Sequence, residues 1–177
     1  VVADADVSVL QVGGDTATHE FETITVSNSG DSTLNAFEDT GGNAPDDLST
    51  LTVNGSGTLE VATALGNGQD LTVDTSGGSA GLTATLQGGD DTFTGGSGAD
   101  DITVGAGDDS FTGGGGDDTV QFAANLTTDD SADGGEGTDT VGISDGSTLT
   151  SDAGDQLSNF ETLDIASGTG TYDLDNL

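Results

Sequence analysis

An all-β parallel solenoid is the fold class this sequence predicts, and three observations predict it. A nine-residue pattern of Gly and Asp repeats through the middle of the chain. Short Val-, Ile-, Thr- and Leu-rich segments recur on both sides of it, separated by Gly, Asn, Ser and Asp clusters. No amphipathic helix of convincing length interrupts them, so the pattern is that of stacked strand-and-turn units.

Read from Leu86 in blocks of nine, the repeat is LQGGDDTFT, GGSGADDIT, VGAGDDSFT and GGGGDDTVQ, with GGEGTDTVG following from Gly134. Asp fills the sixth place as Asp91, Asp100, Asp109, Asp118 and Asp139. A bulky apolar residue fills the eighth as Phe93, Ile102, Phe111, Val120 and Val141. Independent residues of this composition would give roughly 0.14 GGxGxD matches, too few for chance to make the repeat; matches begin at Gly95, Gly113 and Gly134.

If a block is one loop plus one short strand, two blocks make one coil of a flattened parallel β-helix. Loops two blocks apart then stack. Asp91 is expected to face Asp109 on one edge, and Asp100 to face Asp118 on the other. Asp139 continues that second edge if FAANLTTDDSAD, after Gln121, counts as one enlarged block. Carboxylates stacked at the inter-strand spacing of about 5 Å repel unless a divalent ion lies between them. The eighth-place residues point into a narrow core, which explains how 31% hydrophobic residues suffice.

Flanking β-type segments are Val7 to Val12, Thr23 to Val26, Leu51 to Val53, Leu59 to Val61, Leu71 to Val73 and Leu82 to Leu86, then Leu149, Leu163 to Ile165 and Tyr172 to Leu174. They alternate apolar with polar residues, as half-buried strands do. The expected organisation is a β region at 1–50, forming first coils or a small sandwich, a degenerate solenoid at 51–85, the loop-coded β-roll at 86–142, and capping or assembly strands at 143–177.

The chain of 177 residues has 33 acidic residues and no Lys or Arg, for a formal net charge of −33. Ordinary composition would supply roughly 20 basic residues. Their absence excludes nucleic-acid binding by phosphate neutralisation, a basic clamp on a phosphorylated substrate and a polybasic grip on membranes. With no Cys, disulfides, thiolate metal sites and thiol nucleophiles are excluded too. Apolar surface this sparse needs a second source of stability, and bound cations supply one by cancelling carboxylate repulsion. Glycines let carbonyl oxygens turn inward while the sixth-place carboxylate adds a charged oxygen. That oxygen-only set suits calcium, with its 6 to 8 flexible ligands, better than magnesium, and the lack of thiolates or a His cluster disfavours zinc.

The blocks at 86–121 and 134–142 resemble the calcium-binding nonapeptide repeats of RTX proteins, which Gram-negative bacteria secrete by the type I route. The Thr-, Ser- and Gly-rich remainder, for example FETITVSNSGDSTLNAF and LSNFETLDIASG, is similar to the solenoid parts of RTX-type surface-layer proteins. The resemblance implies several bound Ca2+ ions, held by Asp91, Asp100, Asp109, Asp118 and Asp139 together with Gly89, Gly95, Gly96, Gly98, Gly105, Gly107, Gly113, Gly114, Gly116, Gly134, Gly135 and Gly137. Leu86, Gln87 and Val104 depart from the motif where it has glycine. Asp70 in LGNGQD and Asp46 in GGNAPD echo it and are weaker metal candidates, while the fifth-place Asp90, Asp108 and Asp117 read as solvated.

His19, in THEF, is the one histidine; HExxH fails and no base stands ready for a nucleophile, so no enzymatic activity is expected. No apolar run approaches a membrane span and no basic n-region precedes an apolar run. Beginning at Val1 without any Met, the sequence reads as a processed or excised piece. The function expected is that of an extracellular calcium-binding structural protein that self-assembles into a surface layer, sheath or fibre. Its expected partners are copies of itself and cell-surface polysaccharide, with no nucleic acid and no membrane insertion. VSVLQV and TYDLDNL are candidate contact strands. The alternatives are a folding and secretion module of a larger RTX toxin or enzyme, and a solenoid adhesin using the threonines at 83, 85, 92, 94, 103 and 112.

Overall fold

The computed structural model describes residues 10–11, 23–34, 37–38, 48–62, 64–66, 68–122, 126–143 and 156–165. Sixteen strands are present and no helix occurs among these residues. A short parallel pair joins β1 (Leu10–Gln11) to β4 (Phe37–Glu38). All the other strands fall into two seven-stranded sheets. The first sheet holds β2 (Thr23–Asn28), β5 (Thr50–Gly55), β7 (Thr72–Asp74), β9 (Thr92–Thr94), β11 (Ser110–Gly115), β13 (Ser131–Glu136) and β15 (Leu157–Ser158), in that spatial order. The second holds β3 (Ser32–Leu34), β6 (Leu59–Val61), β8 (Leu82–Thr85), β10 (Asp101–Thr103), β12 (Thr119–Gln121), β14 (Thr140–Ile143) and β16 (Thr162–Ile165). The chain passes from one sheet to the other and back, with every pairing parallel, so it is a β-solenoid.

The repeat sets the register. Ser110 pairs with Thr92 and Asp101 with Thr119, each two blocks apart. The enlarged block after Gln121 is absorbed without a slip, since Ser110 pairs with Ser131 and Val120 with Val141. Alternation does the rest. In β2, Ile24 and Val26 are buried while Thr23 and Thr25 are exposed, because successive side chains leave opposite faces of a strand.

Register therefore turns the inward residues into columns: Ile24, Leu51, Val73, Phe93, Phe111, Ala132 and Leu157 in the first sheet, and Ala84, Ile102, Val120 and Val141 in the second. All are buried, and the rings of Phe93 and Phe111 stack with centroids 5.1 Å apart and planes 12° from parallel. The outward face of the first sheet carries an uncharged hydroxyl column, Thr23, Thr50, Thr72, Thr92, Ser110 and Ser131.

Strands β2 and β3 continue the two sheets that hold the repeat, while β1 and β4 pair apart from them. In the VSVLQV segment Leu10 and Gln11 pair with Phe37 and Glu38, outside the repeat, where no partner for it was expected. Leu149 and TYDLDNL lie outside the described residues. The sequence reading missed β13, whose inward positions are Ala132 and Gly134, too small to register as a strand pattern.

Truncating one ring of the stack, Phe111→Ala, is expected to lower the unfolding free energy at saturating calcium by about 3–5 kcal/mol. The outward neighbour Thr112→Ala should change it by no more than about 0.5 kcal/mol. Denaturant unfolding of both variants checks this, and equal losses would contradict the column assignment.

Candidate metal centre

Each sixth-place aspartate closes a loop and enters the next strand, so its side chain stands at the edge of the solenoid, against the loop one coil earlier. On the first edge, the N–H of Leu71 donates to Asp91 Oδ1 (2.9 Å), that of Asp91 to Asp109 Oδ1 (2.9 Å), and that of Asp109 to Asp130 Oδ1 (2.7 Å). On the second, Leu82 donates to Asp100 Oδ1 (2.7 Å), Asp100 to Asp118 Oδ1 (2.8 Å), Asp118 to Asp139 Oδ1 (2.8 Å), and Asp139 to Glu161 Oε2 (2.7 Å). Every carboxylate thus reaches back one coil. The stacking expected of Asp91 on Asp109 and of Asp100 on Asp118 and Asp139 is the arrangement the structure has.

In four of these aspartates one oxygen remains. Oδ2 of Asp91, Asp100, Asp118 and Asp139 is buried with no hydrogen-bond partner, in residues at most 2% exposed. On the second edge its surroundings are defined by glycine. A Cβ added to Gly113 would lie 2.4 Å from Asp118 Oδ2 and 2.4 Å from the Gly134 carbonyl oxygen. The same holds at Gly95, against Asp100 Oδ2 (2.8 Å) and the Gly113 carbonyl (1.7 Å), and at Gly134, against Asp139 Oδ2 (2.8 Å) and the Asn159 carbonyl (2.2 Å). The first place must be glycine there because carboxylate and carbonyl oxygens crowd the space that a side chain would take. At the fourth place Gly116 (φ 118°) and Gly137 (φ 153°) demand it through backbone conformation.

Burial raises the carboxyls of Asp91 and Asp100 to about 7 and that of Asp118 to about 6; the N–H bonds oppose the rise and neighbouring carboxylates add to it. Asp109 and Asp139 are raised as well, again chiefly by burial. Among the described residues no three His, Cys, Asp or Glu side chains converge. A cation here would be held by one carboxylate per loop and by main-chain carbonyls. That all-oxygen set, with buried anionic oxygens lacking partners, fits calcium.

The weaker candidates fall elsewhere. The loop from Leu65 to Leu71 is one residue longer than that from Leu86 to Asp91, two segments tied by the Leu65 to Leu86 bridge and the Leu71 to Asp91 bond. Asp70 consequently stacks on the fifth-place Asp90, whose N–H it accepts (2.9 Å), and it is exposed. Asp90 likewise accepts from Asp108 (3.0 Å) and Asp117 from Thr138 (3.0 Å), an outer row running opposite to the buried one. Asp46 and His19 lie outside the described residues. Sequence reading missed Asp130, fully buried at the end of the first edge, and Glu161 at the end of the second. Asp130 had a signal: like Asp91, Asp109 and Asp118 it follows another Asp and precedes by two an inward residue, Ala132.

Folded-state carboxyls raised above their ordinary 3.8 mean that the calcium-free fold binds more protons than the unfolded chain between about pH 4 and 7. Its stability must fall as pH rises through that window. In chelator the fold, unfolded or marginal at pH 8, is expected to be more stable at pH 5.5, with a higher thermal midpoint. In saturating calcium it should fall over the same interval, because protons displace the ion. Melts followed by circular dichroism check both signs, and parallel trends would contradict the assignment.

The family model of the RTX calcium-binding nonapeptide repeat matches residues 87–120, in four copies. No curated protein and no solved structure matches the chain. The matched residues include Asp91, Asp100, Asp109 and Asp118, the aspartates of both buried columns as they pass through coils of the shortest period. The central part of this solenoid is a run of RTX calcium-binding repeats.

Proposed function

We propose that the chain is a secreted structural protein that folds on calcium and assembles with copies of itself on or outside the cell, as a surface layer, sheath or fibre. The observation that carries this reading is the set of buried, unpartnered carboxylate oxygens in a chain that has no Lys or Arg to meet them. Its fold needs cations from outside, and extracellular modules take up calcium at about 10⁻⁴–10⁻³ M. Folding is thereby deferred until the chain has left the cell. RTX repeats are typical of type I secretion, which supports an origin in a Gram-negative bacterium.

The structural role is supported by how far the scaffold outruns the calcium loops, since coils extend from β2 to β16 while the matched repeats end at residue 120. Stacked parallel strands invite addition of further strands at their ends. The protein acts without catalysis of its own. A second reading, an adhesin for neutral polysaccharide, is favoured by the uncharged hydroxyl column from Thr23 to Ser131 on a molecule of net charge −33.

Addition of calcium, but not magnesium, to the purified chain at neutral pH is expected to produce ordered sheets or filaments, seen by sedimentation and negative-stain microscopy. A chain that folds with calcium and stays monomeric at high concentration would overturn the assembly reading in favour of a secretion module.

A further inference from the structure

The two edges of the solenoid are built differently. On the second edge, Asp100, Asp118 and Asp139 repeat one geometry, each Oδ2 facing the bare Cα of its own first-place glycine and a carbonyl of the following coil. The last of these carbonyls belongs to Asn159, the one non-glycine residue at positive φ (56°) among those described. Asn tolerates that conformation where most residues do not, and here it brings the carbonyl against Gly134.

On the first edge the first place holds Leu86 and Val104, both buried in the apolar core. The position left bare on the second edge carries a side chain on this one. The column then stops at Asp130, whose two carboxylate oxygens are both taken by backbone N–H groups, from Asp109 (2.7 Å) and Thr127 (2.6 Å). A carboxylate satisfied by two charge-assisted bonds of this length has little to gain from a cation. Asp91 alone on this edge keeps a buried Oδ2 without a partner.

We propose that tight calcium binding is confined to the second edge, with Asp100, Asp118 and Asp139 as its carboxylate ligands, and that Asp130 is a hydrogen-bonded stop that closes the first edge without an ion. The inference rests on the calcium-binding reading above and adds where the ions sit. The first edge takes calcium only weakly. Val104 and Leu86 are the positions that make it so.

Equilibrium dialysis against calcium at neutral pH, run on the whole chain, tests this with Asp118→Asn and Asp109→Asn; Asn keeps an acceptor for the N–H bond and removes the charge. Asp118→Asn is expected to lose at least one tight ion and to raise the calcium midpoint of folding at least tenfold. Asp109→Asn should keep the wild-type number of tight ions with a midpoint shift below threefold. If Asp118→Asn does not fold, Asp139→Asn supplies the second-edge reading. Equal loss from both edges overturns the asymmetry while leaving calcium binding intact; a wild-type chain that binds no calcium overturns the underlying reading instead.

Discussion

The structure turns on the burial of the sixth-place carboxylates. Each receives one main-chain N–H bond, worth about 1.5–3 kcal/mol for a charged acceptor. Like charges about 5 Å apart, the coil spacing, repel by roughly 3 kcal/mol at an effective dielectric of about 20, and a carboxylate inside the column has two such neighbours. Repulsion and desolvation together outweigh the hydrogen bond. Two of the chain's own aspartates show that burial is what tips the balance. Asp31 is exposed, and the N–H and hydroxyl of Thr58 hold its carboxyl below the ordinary value. Asp91 has the same kind of N–H bond and is pushed up to about 7 by burial.

Along the solenoid the same problem, joining one edge loop to the next, is met in three ways. Near the N-terminus a neutral amide does it: buried Asn28 donates through Nδ2 to the carbonyl of Gly57 in the next coil (2.8 Å). In the middle the columns begin on the N–H groups of Leu71 and Leu82 and run through carboxylates of which Asp91, Asp100, Asp118 and Asp139 keep a second oxygen without a protein partner. At the far ends they stop on Asp130, tied by its own loop, and on Glu161, whose side chain reaches in from an exposed position. Calcium dependence is thus concentrated in the central coils. The scaffold on either side is held by apolar columns and backbone pairing.

Much of this was legible in the sequence because the repeat has a period that the fold obeys. Eighteen residues separate Asp91 from Asp109 and Asp100 from Asp118, and the same separation is the register of β9 with β11 and of β10 with β12. Where length varies, the code fails. One extra residue moves Asp70 from the buried row to the exposed one. The enlarged block keeps an acid, Asp130, two residues before its inward residue, but offers no glycines to announce it. Glu161 was invisible because its role depends on a loop-to-loop contact across 22 residues and on the reach of a longer side chain. The inequality of the two edges could be suspected from Leu86 and Val104, yet the crowding of Asp118 Oδ2 and the Gly134 carbonyl about one glycine emerges only in three dimensions.

The central claim is that external cations complete the buried carboxylates left without a partner, so that folding and calcium binding are one process. Unfolding free energy measured by denaturant titration across a range of free calcium concentrations tests it most directly, since a ligand bound only by the folded state stabilises in proportion to the logarithm of its concentration. The account predicts a chain unfolded or marginal in chelator at neutral pH, and a stability that climbs with log calcium at a slope of more than one ion. A chain equally stable in chelator and in calcium would contradict it.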